Sequence, residues 1–192
     1  MKRTRSSFLA LLTVLLSPMA ANAALITLTD SQTQTISGQD FLFNFSGLAP
    51  SDGTGGTFVL HAGGDYTGGV SEALSWDIEG FASASGVGGF NSDGSGGVGG
   101  PFDFTNLIQA AGNIEFQRTY SLSAAAVSSI VADGLLSIFV DLSDDVNLFQ
   151  PPSFVEVTFE YNSATSVPEP GTLALMGIGL LGMGAARRKK KV

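Results

Sequence analysis

Few residues of this chain could carry out covalent chemistry, and Ser95 is the first to consider. It lies in the run Asp93-Gly94-Ser95-Gly96-Gly97. The strained turn that activates a serine has the order G-x-S-x-G, and position 93 is aspartate. A glycine-rich loop is also a poor place to hold a strained nucleophile. The sequence therefore argues against a serine hydrolase, and we expect a protein without catalytic activity.

Metal ligands are also scarce. The chain has no cysteine and one histidine, His61, so we expect no zinc or iron site and a structural or surface role for His61. Calcium prefers oxygen ligands, and Asn91, Asp93 and Ser95 have the alternating spacing of a calcium loop. Phe102 stands where the bidentate glutamate of such a loop would fall, which counts against this site.

Two other sets of residues could bind a ligand. The first comprises the carboxylates Asp65, Glu72, Asp77 and Glu79. They could supply calcium oxygens from neighbouring turns, or they could form a solvated acidic face. The second comprises Trp76 and the tyrosines, which could form a platform that stacks on a sugar ring. Trp76 shares one face of a predicted strand with Leu74 and Ile78, so we expect it in the core.

The C-terminus contains an uncharged run followed by cations. Residues 171–186 are 16 in a row without a charge, and as a helix they would rise roughly 24 Å. A bilayer core is about 30 Å thick, and the aliphatic stems of flanking residues can extend the run. It lacks a polar face, which favours a transmembrane helix. The stop-transfer signal that follows is formed by Arg187, Arg188, Lys189, Lys190 and Lys191 and predicts a cytoplasmic C-terminus.

A stiff polar segment precedes the apolar run. It consists of Val167, Pro168, Glu169 and Pro170. The prolines fix their own φ angles and keep the preceding residues out of the helical region, so the segment should be extended. An extended peptide suits the active site of a processing enzyme, but prolines also suit the start of a helix. On these grounds alone both interpretations stay open.

The three parts in this order, with Gly171-Thr172 after the prolines, resemble the PEP-CTERM sorting signal of Gram-negative bacteria. The resemblance covers residues 166–192. It implies that an exosortase, a membrane protease-transpeptidase, recognises Val167, Pro168, Glu169 and Pro170. It also associates the chain with exopolysaccharide, biofilm and surface display. The same tail is known as an ice-binding protein C-terminal domain, a label that describes the tail and not the activity of the body.

Residues 1–23 predict a secretory signal peptide. Its positive start is formed by Lys2, Arg3 and Arg5. A short apolar segment, Phe8–Leu16, follows, and Ala21-Asn22-Ala23 is an A-x-A site for signal peptidase. Removal of this signal would leave an inner-membrane precursor, held by residues 171–186, with its body in the periplasm. The processed form is then expected at the cell surface or in the extracellular matrix.

The exported part is far more acidic than the whole chain. Three of the nine cations lie in the predicted signal and five at the C-terminus, which leaves Arg118 against 17 acids between Asp30 and Glu169. Such a body should be soluble and should bind neither nucleic acid nor anionic lipid. Its charge could attract divalent cations or simply maintain solubility.

The body, residues 24–165, alternates apolar and polar residues in seven segments, which predicts β-strands with one wet face. The expected core residues, strand by strand, are Ile26 and Leu28; Phe41, Phe43 and Phe45; Phe58 and Leu60; Leu74, Trp76 and Ile78; Ile114 and Phe116; Leu136, Ile138, Val140 and Leu142; and Val155, Val157, Phe159 and Tyr161. This number of strands in one domain predicts a single antiparallel β-sandwich of jelly-roll type.

Three segments between strands lack this alternation. Ser121–Val131 is rich in alanine, has Ser123 as an N-cap and predicts one short helix. Residues 86–100 contain eight glycines and predict a loop. Ser51-Asp52-Gly53 predicts a turn.

Together these features predict three regions: a signal peptide (1–23), a β-sandwich (24–165) and a sorting signal (166–192). The expected protein is exported, processed by exosortase, non-catalytic and associated with the cell surface or matrix. The alternative is a carbohydrate- or Ca²⁺-binding module displayed by the same route.

Overall fold

The computed structural model describes residues 23–91, 95–102, 109–110, 112–148, 153–164 and 179–180. Ala23–Ala164 forms one compact unit. Its strands are β1 (Ala24–Thr33), β2 (Asp40–Ser46), β3 (Ser51–Gly64), β4 (Ala73–Ile78), β5 (Ala82–Phe90), β6 (Gly96–Val98), β7 (Gln109–Ala110), β8 (Asn113–Leu122), β9 (Leu135–Leu142) and β10 (Phe154–Ser163). Helix α1 (Ala124–Ile130) lies between β8 and β9, and a 3-10 turn at Gly69–Ser71 precedes β4.

The strands form two antiparallel sheets that share one core. Sheet A has the order β1-β10-β3-β8-β7, and sheet B has the order β2-β9-β4-β5-β6. Phe58 of β3 in sheet A packs against Trp76 of β4 in sheet B, with their ring centroids 4.6 Å apart. The inward side chains of both sheets belong to one buried cluster. The body is therefore a two-sheet, sandwich-like β fold, as the alternation predicts.

Strand β10 shows why the alternation predicts the strands so well. Val155, Val157 and Phe159 are fully buried, whereas Glu156 and Thr158 between them lie partly exposed on the outer face. Burying each such apolar side chain contributes about 1.5–3 kcal/mol, which fixes which face turns inward. All seven predicted strands are present, and Trp76 lies in the core as expected.

The predicted helix is also confirmed, with narrower bounds. The Ser123 hydroxyl accepts a hydrogen bond from the Ala126 N–H at 3.2 Å, which caps α1. Val127 and Ile130 turn toward the core. The first residues of the predicted segment belong to β8, because that strand continues to Leu122.

The prediction of a loop over residues 86–100 was wrong in part. Strand β5 continues to Phe90, and Gly96–Val98 forms β6 beside it. The glycines of β5 make room for neighbouring groups. A Cβ on Gly88 would lie 3.3 Å from the Tyr66 ring, and one on Gly89 would lie 2.6 Å from the Gly69 carbonyl oxygen. Glycine in this strand therefore permits close packing.

The predicted turn at residues 51–53 lies inside β3. The Gly53 N–H donates to the Ser51 hydroxyl at 3.0 Å, and the Thr54 N–H donates to the Asp52 carboxylate at 2.9 Å. The pairing of β3 with β10 shifts register at the same place. The turn chemistry thus produces an irregularity within a strand, because pairing with β10 resumes on both sides.

The predicted signal peptide and transmembrane helix fall outside the described residues, apart from Ala23, Gly179 and Leu180. Among the described residues, no helix is long and apolar enough to cross a bilayer.

Candidate functional site

The two ends of the compact unit meet at one end of sheet A. Ala24 pairs with Ser163, and the Ser163 hydroxyl donates to the Ala24 carbonyl oxygen at 3.2 Å. The Ala164 N–H donates to the Pro50 carbonyl oxygen at 2.8 Å, which fixes the exit of the chain. Only residues 165 and 166 separate this point from the predicted sorting motif at 167–170.

The predicted sorting residues lie outside the described residues. These are Val167, Pro168, Glu169, Pro170, Arg187, Arg188, Lys189, Lys190 and Lys191. Of the predicted signal-peptidase site, Ala21 lies outside and Ala23 directly precedes β1.

The first calcium candidate is described in part, because Asp93 lies outside the described residues. The Asn91 side-chain amide donates to the Ser95 hydroxyl at 3.1 Å, and the Asn91 N–H donates to the Ser95 carbonyl oxygen at 2.8 Å. These contacts close the connection between β5 and β6. Two of the three predicted ligands are thus close together and bonded to each other.

The second acidic set separates into two pairs. Glu72 precedes β4 and lies near Asp65; burial and this carboxylate raise the pKa of Glu72, although the Gly68 N–H bond opposes the shift. Asp77 and Glu79 lie at the other end of β4, where they accept hydrogen bonds from backbone N–H groups of Gly80 (2.9 Å) and Ser137 (2.7 Å). The four carboxylates therefore do not form one site. In the described part of the chain, no three His, Asp or Glu residues are placed to hold a metal ion.

A shallow groove of about 220 Å³ lies on sheet B. Its lining is formed by Val70, Ala73, Leu74, Ser75, Ser85, Gly86, Asp141 and Ser143. Asp141 pairs with Asp40 across β9 and β2. Burial raises the pKa of the Asp141 carboxyl, and the nearby Asp40 and Asp144 raise it further, while the Ser75 hydroxyl opposes them. The groove thus combines serine hydroxyls with a carboxylate that holds its proton more tightly than usual.

His61 lies between two glutamates on the outer face of sheet A. Its Nε2 is 2.8 Å from Glu115 on β8, and its Nδ1 is 3.3 Å from Glu156 on β10. Phe154 covers the imidazole edge-on at 4.9 Å between ring centroids. Because the carboxylates approach opposite ring nitrogens, these contacts link three strands, in keeping with the structural role expected of His61.

The inward face of β8 carries a polar cluster that the sequence analysis missed. Arg118 lies over the Tyr120 ring, with its guanidinium carbon 4.7 Å from the ring centroid. Tyr120 in turn contacts Trp76 of the opposite sheet at 4.7 Å between ring centroids. A signal for this placement was present, since the inward alternation of Ile114 and Phe116 continues to positions 118 and 120.

Residues 166–190 match the PEP-CTERM protein-sorting motif, which confirms the resemblance seen in the sequence. The motif begins two residues after the last described residue of the body, Ala164. The chain therefore carries a PEP-CTERM sorting domain, which marks it as an exported protein targeted to exosortase through a membrane-anchored precursor. Neither a curated protein nor a solved structure matches the chain.

Proposed function

We propose that this chain is a non-catalytic exported protein whose β-sandwich is delivered to the cell surface or extracellular matrix. In this proposal signal peptidase cuts after Ala23, residues 171–186 hold the precursor in the inner membrane, and exosortase processes the chain at 167–170. The observation that carries the proposal is the sorting motif at residues 166–190, directly after a compact body. The start of β1 at Ala24 is consistent with a mature N-terminus there.

We further propose that the body is a jelly roll, the two-sheet fold built from two Greek keys. The chain alternates between the sheets from β1 to β4 and again from β8 to β10. As a result β8 pairs with β3, β9 lies between β2 and β4, and β10 lies between β1 and β3. The short strands β6 and β7 are added at the outer edges. This strand order is the observation that supports the jelly-roll proposal.

The sorting proposal is tested by replacing Pro168, Glu169 and Pro170 with alanine in the full-length chain. We expect unprocessed precursor to accumulate in the membrane fraction, because the extended recognition segment is lost. The measurement is immunoblotting of membrane and secreted fractions, with mass determination of the C-terminus of the released form.

Pro50→Ala is the matched control, because it makes the same change in the body and keeps the carbonyl that Ala164 contacts. It should be released like the wild type. Equal release of the triple variant would show that the motif does not direct processing.

The second candidate is a carbohydrate- or Ca²⁺-binding module displayed by the same route. The groove at Ser75, Ser143 and Asp141 favours it, since hydroxyls and a carboxyl are typical partners of sugar hydroxyls. Its volume of about 220 Å³ is enough for one small ring and falls below that of most ligand pockets. Calorimetric titration of the chain with exopolysaccharide and with Ca²⁺ tests this candidate. Heat that is lost in Asp141→Asn would support it, and the absence of heat with both ligands would exclude it.

A further inference from the structure

The only cation of the compact unit points into the sandwich. Arg118 stands against 16 carboxylates in residues 23–164. It lies on the inward face of β8, paired with the buried Leu60 of β3. Its guanidinium carbon is 4.7 Å from the Tyr120 ring centroid and 5.9 Å from that of Phe102. No carboxylate of the described residues forms an ion pair with it, since the ion pairs found there belong to His61.

Two buried nitrogens of Arg118, Nε and Nη1, lack a hydrogen-bond partner in the described part of the chain. Beside them, the Trp76 N–H acts as a hydrogen-bond donor toward the Tyr120 hydroxyl. Buried polar groups in native proteins are almost always paired with protein, water or ligand. Leaving one unpaired costs about 1–3 kcal/mol, and more when the group is charged. Two such atoms on one charged group therefore indicate a missing partner.

The chemistry of that partner follows from the atoms that face it. The guanidinium nitrogens are donors only, and the Tyr120 hydroxyl, which accepts from the Trp76 N–H, has its own proton to donate. The partner must therefore supply hydrogen-bond acceptors, and the charge of Arg118 favours an anion. The planar fork of a guanidinium matches the two oxygens of a carboxylate. Arg118 and Tyr120 are half-buried as whole residues, so other atoms of the same side chains reach the surface.

We propose that Arg118, Tyr120 and Trp76 form a binding site for an organic carboxylate at the edge of the space between the sheets. Arg118 holds the carboxylate, the Tyr120 hydroxyl donates to one of its oxygens, and the Trp76 N–H orients that hydroxyl. The surrounding aromatic rings favour a carboxylate on a carbon framework over a bare inorganic anion. Two sources share this chemistry, a free small acid and a sugar acid within a polymer. This site is independent of exosortase processing.

The test uses the fluorescence of Trp76, the only tryptophan of the chain, in the full-length protein. The ligands are D-glucuronate, a glucuronate oligomer and, as the neutral analogue, glucose. We expect a saturable change in emission with glucuronate and none with glucose. A response to both acids assigns the site to the carboxylate itself, and tighter binding of the oligomer identifies the polymer as the source.

Three variants separate binding from folding. Arg118→Lys keeps the positive charge but loses the planar guanidinium that can bind both carboxylate oxygens. It should weaken glucuronate binding at least about tenfold. Tyr120→Phe removes the hydroxyl group and should weaken glucuronate binding several-fold. Thr119→Val lies between them on β8 and faces outward, so it should bind like the wild type.

Thermal unfolding without ligand gives a second readout. Arg118→Met removes a desolvated, unpaired charge, so it should melt at the same or a higher temperature while losing the response to glucuronate. The proposal is overturned if glucuronate up to about 10 mM gives no saturable change, a range that includes weak specific sites. Equal responses to glucose, or equal binding by Arg118→Lys and the wild type, would also overturn it.

Discussion

Two glycines show how position decides the effect of a single methyl group. Gly88 and Gly53 both adopt positive φ angles, +100° and +87°, which disfavour other residues. A Cβ on Gly88 would approach Tyr66 to 3.3 Å and Phe116 to 3.5 Å, whereas a Cβ on Gly53 would meet nothing within 4 Å. The two sites therefore share the backbone penalty and differ in packing.

Gly88→Ala should accordingly lower the free energy of unfolding by about 2–4 kcal/mol, through backbone strain and overpacking together. Gly53→Ala is the matched control and should cost about 1–2 kcal/mol. Urea unfolding of both variants measures the difference. If both lose the same stability, the close approach at Gly88 has no energetic consequence.

Asp141 predicts a pH dependence of stability. Burial and the neighbouring Asp40 raise the pKa of its carboxyl in the folded state. The contribution of Asp141 to the stability of the fold is therefore most favourable below the ordinary aspartate pKa of about 3.9. It is lost as the pH rises through the pKa that Asp141 has in the folded protein. Asp141→Asn should therefore raise the free energy of unfolding at pH 7 by less than about 1 kcal/mol, because solvent screens the pair, and the melting temperature should rise with it. The gain should shrink toward pH 3.

Asp145→Asn is the control for this prediction. It removes the same charge from an exposed position on the connection after β9. It should change the melting temperature less than Asp141→Asn does. An equal gain from both variants would attribute the effect to the overall negative charge of the body.

At this scale the sequence predicts which residues are buried better than which residues meet. Trp76 was predicted in the core from its neighbours Leu74 and Ile78. The contacts of His61 with Glu115 and Glu156, and of Asp141 with Asp40, depend on the pairing of distant strands. Alternation along one strand carries no information on its partner, so these contacts could not be predicted.

Among the elements, α1 depends on a single cap. Ser123→Ala removes the hydroxyl that accepts from the Ala126 N–H and should cost about 1 kcal/mol, or roughly 3 °C in melting temperature. Ser128→Ala, an exposed change in the same helix, should be neutral or slightly stabilising. Calorimetry compares the two variants, and equal melting temperatures would mean that the cap contributes nothing.

The sequence fails to predict strands in which glycines stand at positions where apolar side chains would otherwise alternate. Strand β10 has a side chain at every inward position, so the pattern is complete. In β5 the positions at Gly86, Gly88 and Gly89 carry no side chain, and the period of two cannot be seen. The short strands β6 and β7 hold three and two residues, too few for any periodicity.

For the whole molecule, the distance between body and sorting motif should control processing. Two residues, 165 and 166, span at most about 7 Å, which leaves an enzyme little room beside a folded domain. An insertion of about six Gly/Ser residues after Thr165 should speed the conversion of precursor to processed form, and deletion of 165–166 should slow it. Pulse-chase labelling measures both rates.

The same insertion between Asp144 and Asp145 lengthens the chain without moving the motif away from β10. It should leave the rate unchanged. Identical rates for all four chains would mean that access to the motif does not limit processing.

The position of β10 also governs how the protein would withstand mechanical load. In the proposed surface attachment, any pull would enter the domain through the C-terminal end of this strand. Because β10 is bonded to β1 on one side and to β3 on the other, traction must rupture two ladders at once. A tether attached to an edge strand would peel away bond by bond, whereas a tether attached to β10 would resist drag with the strength of the sheet interior.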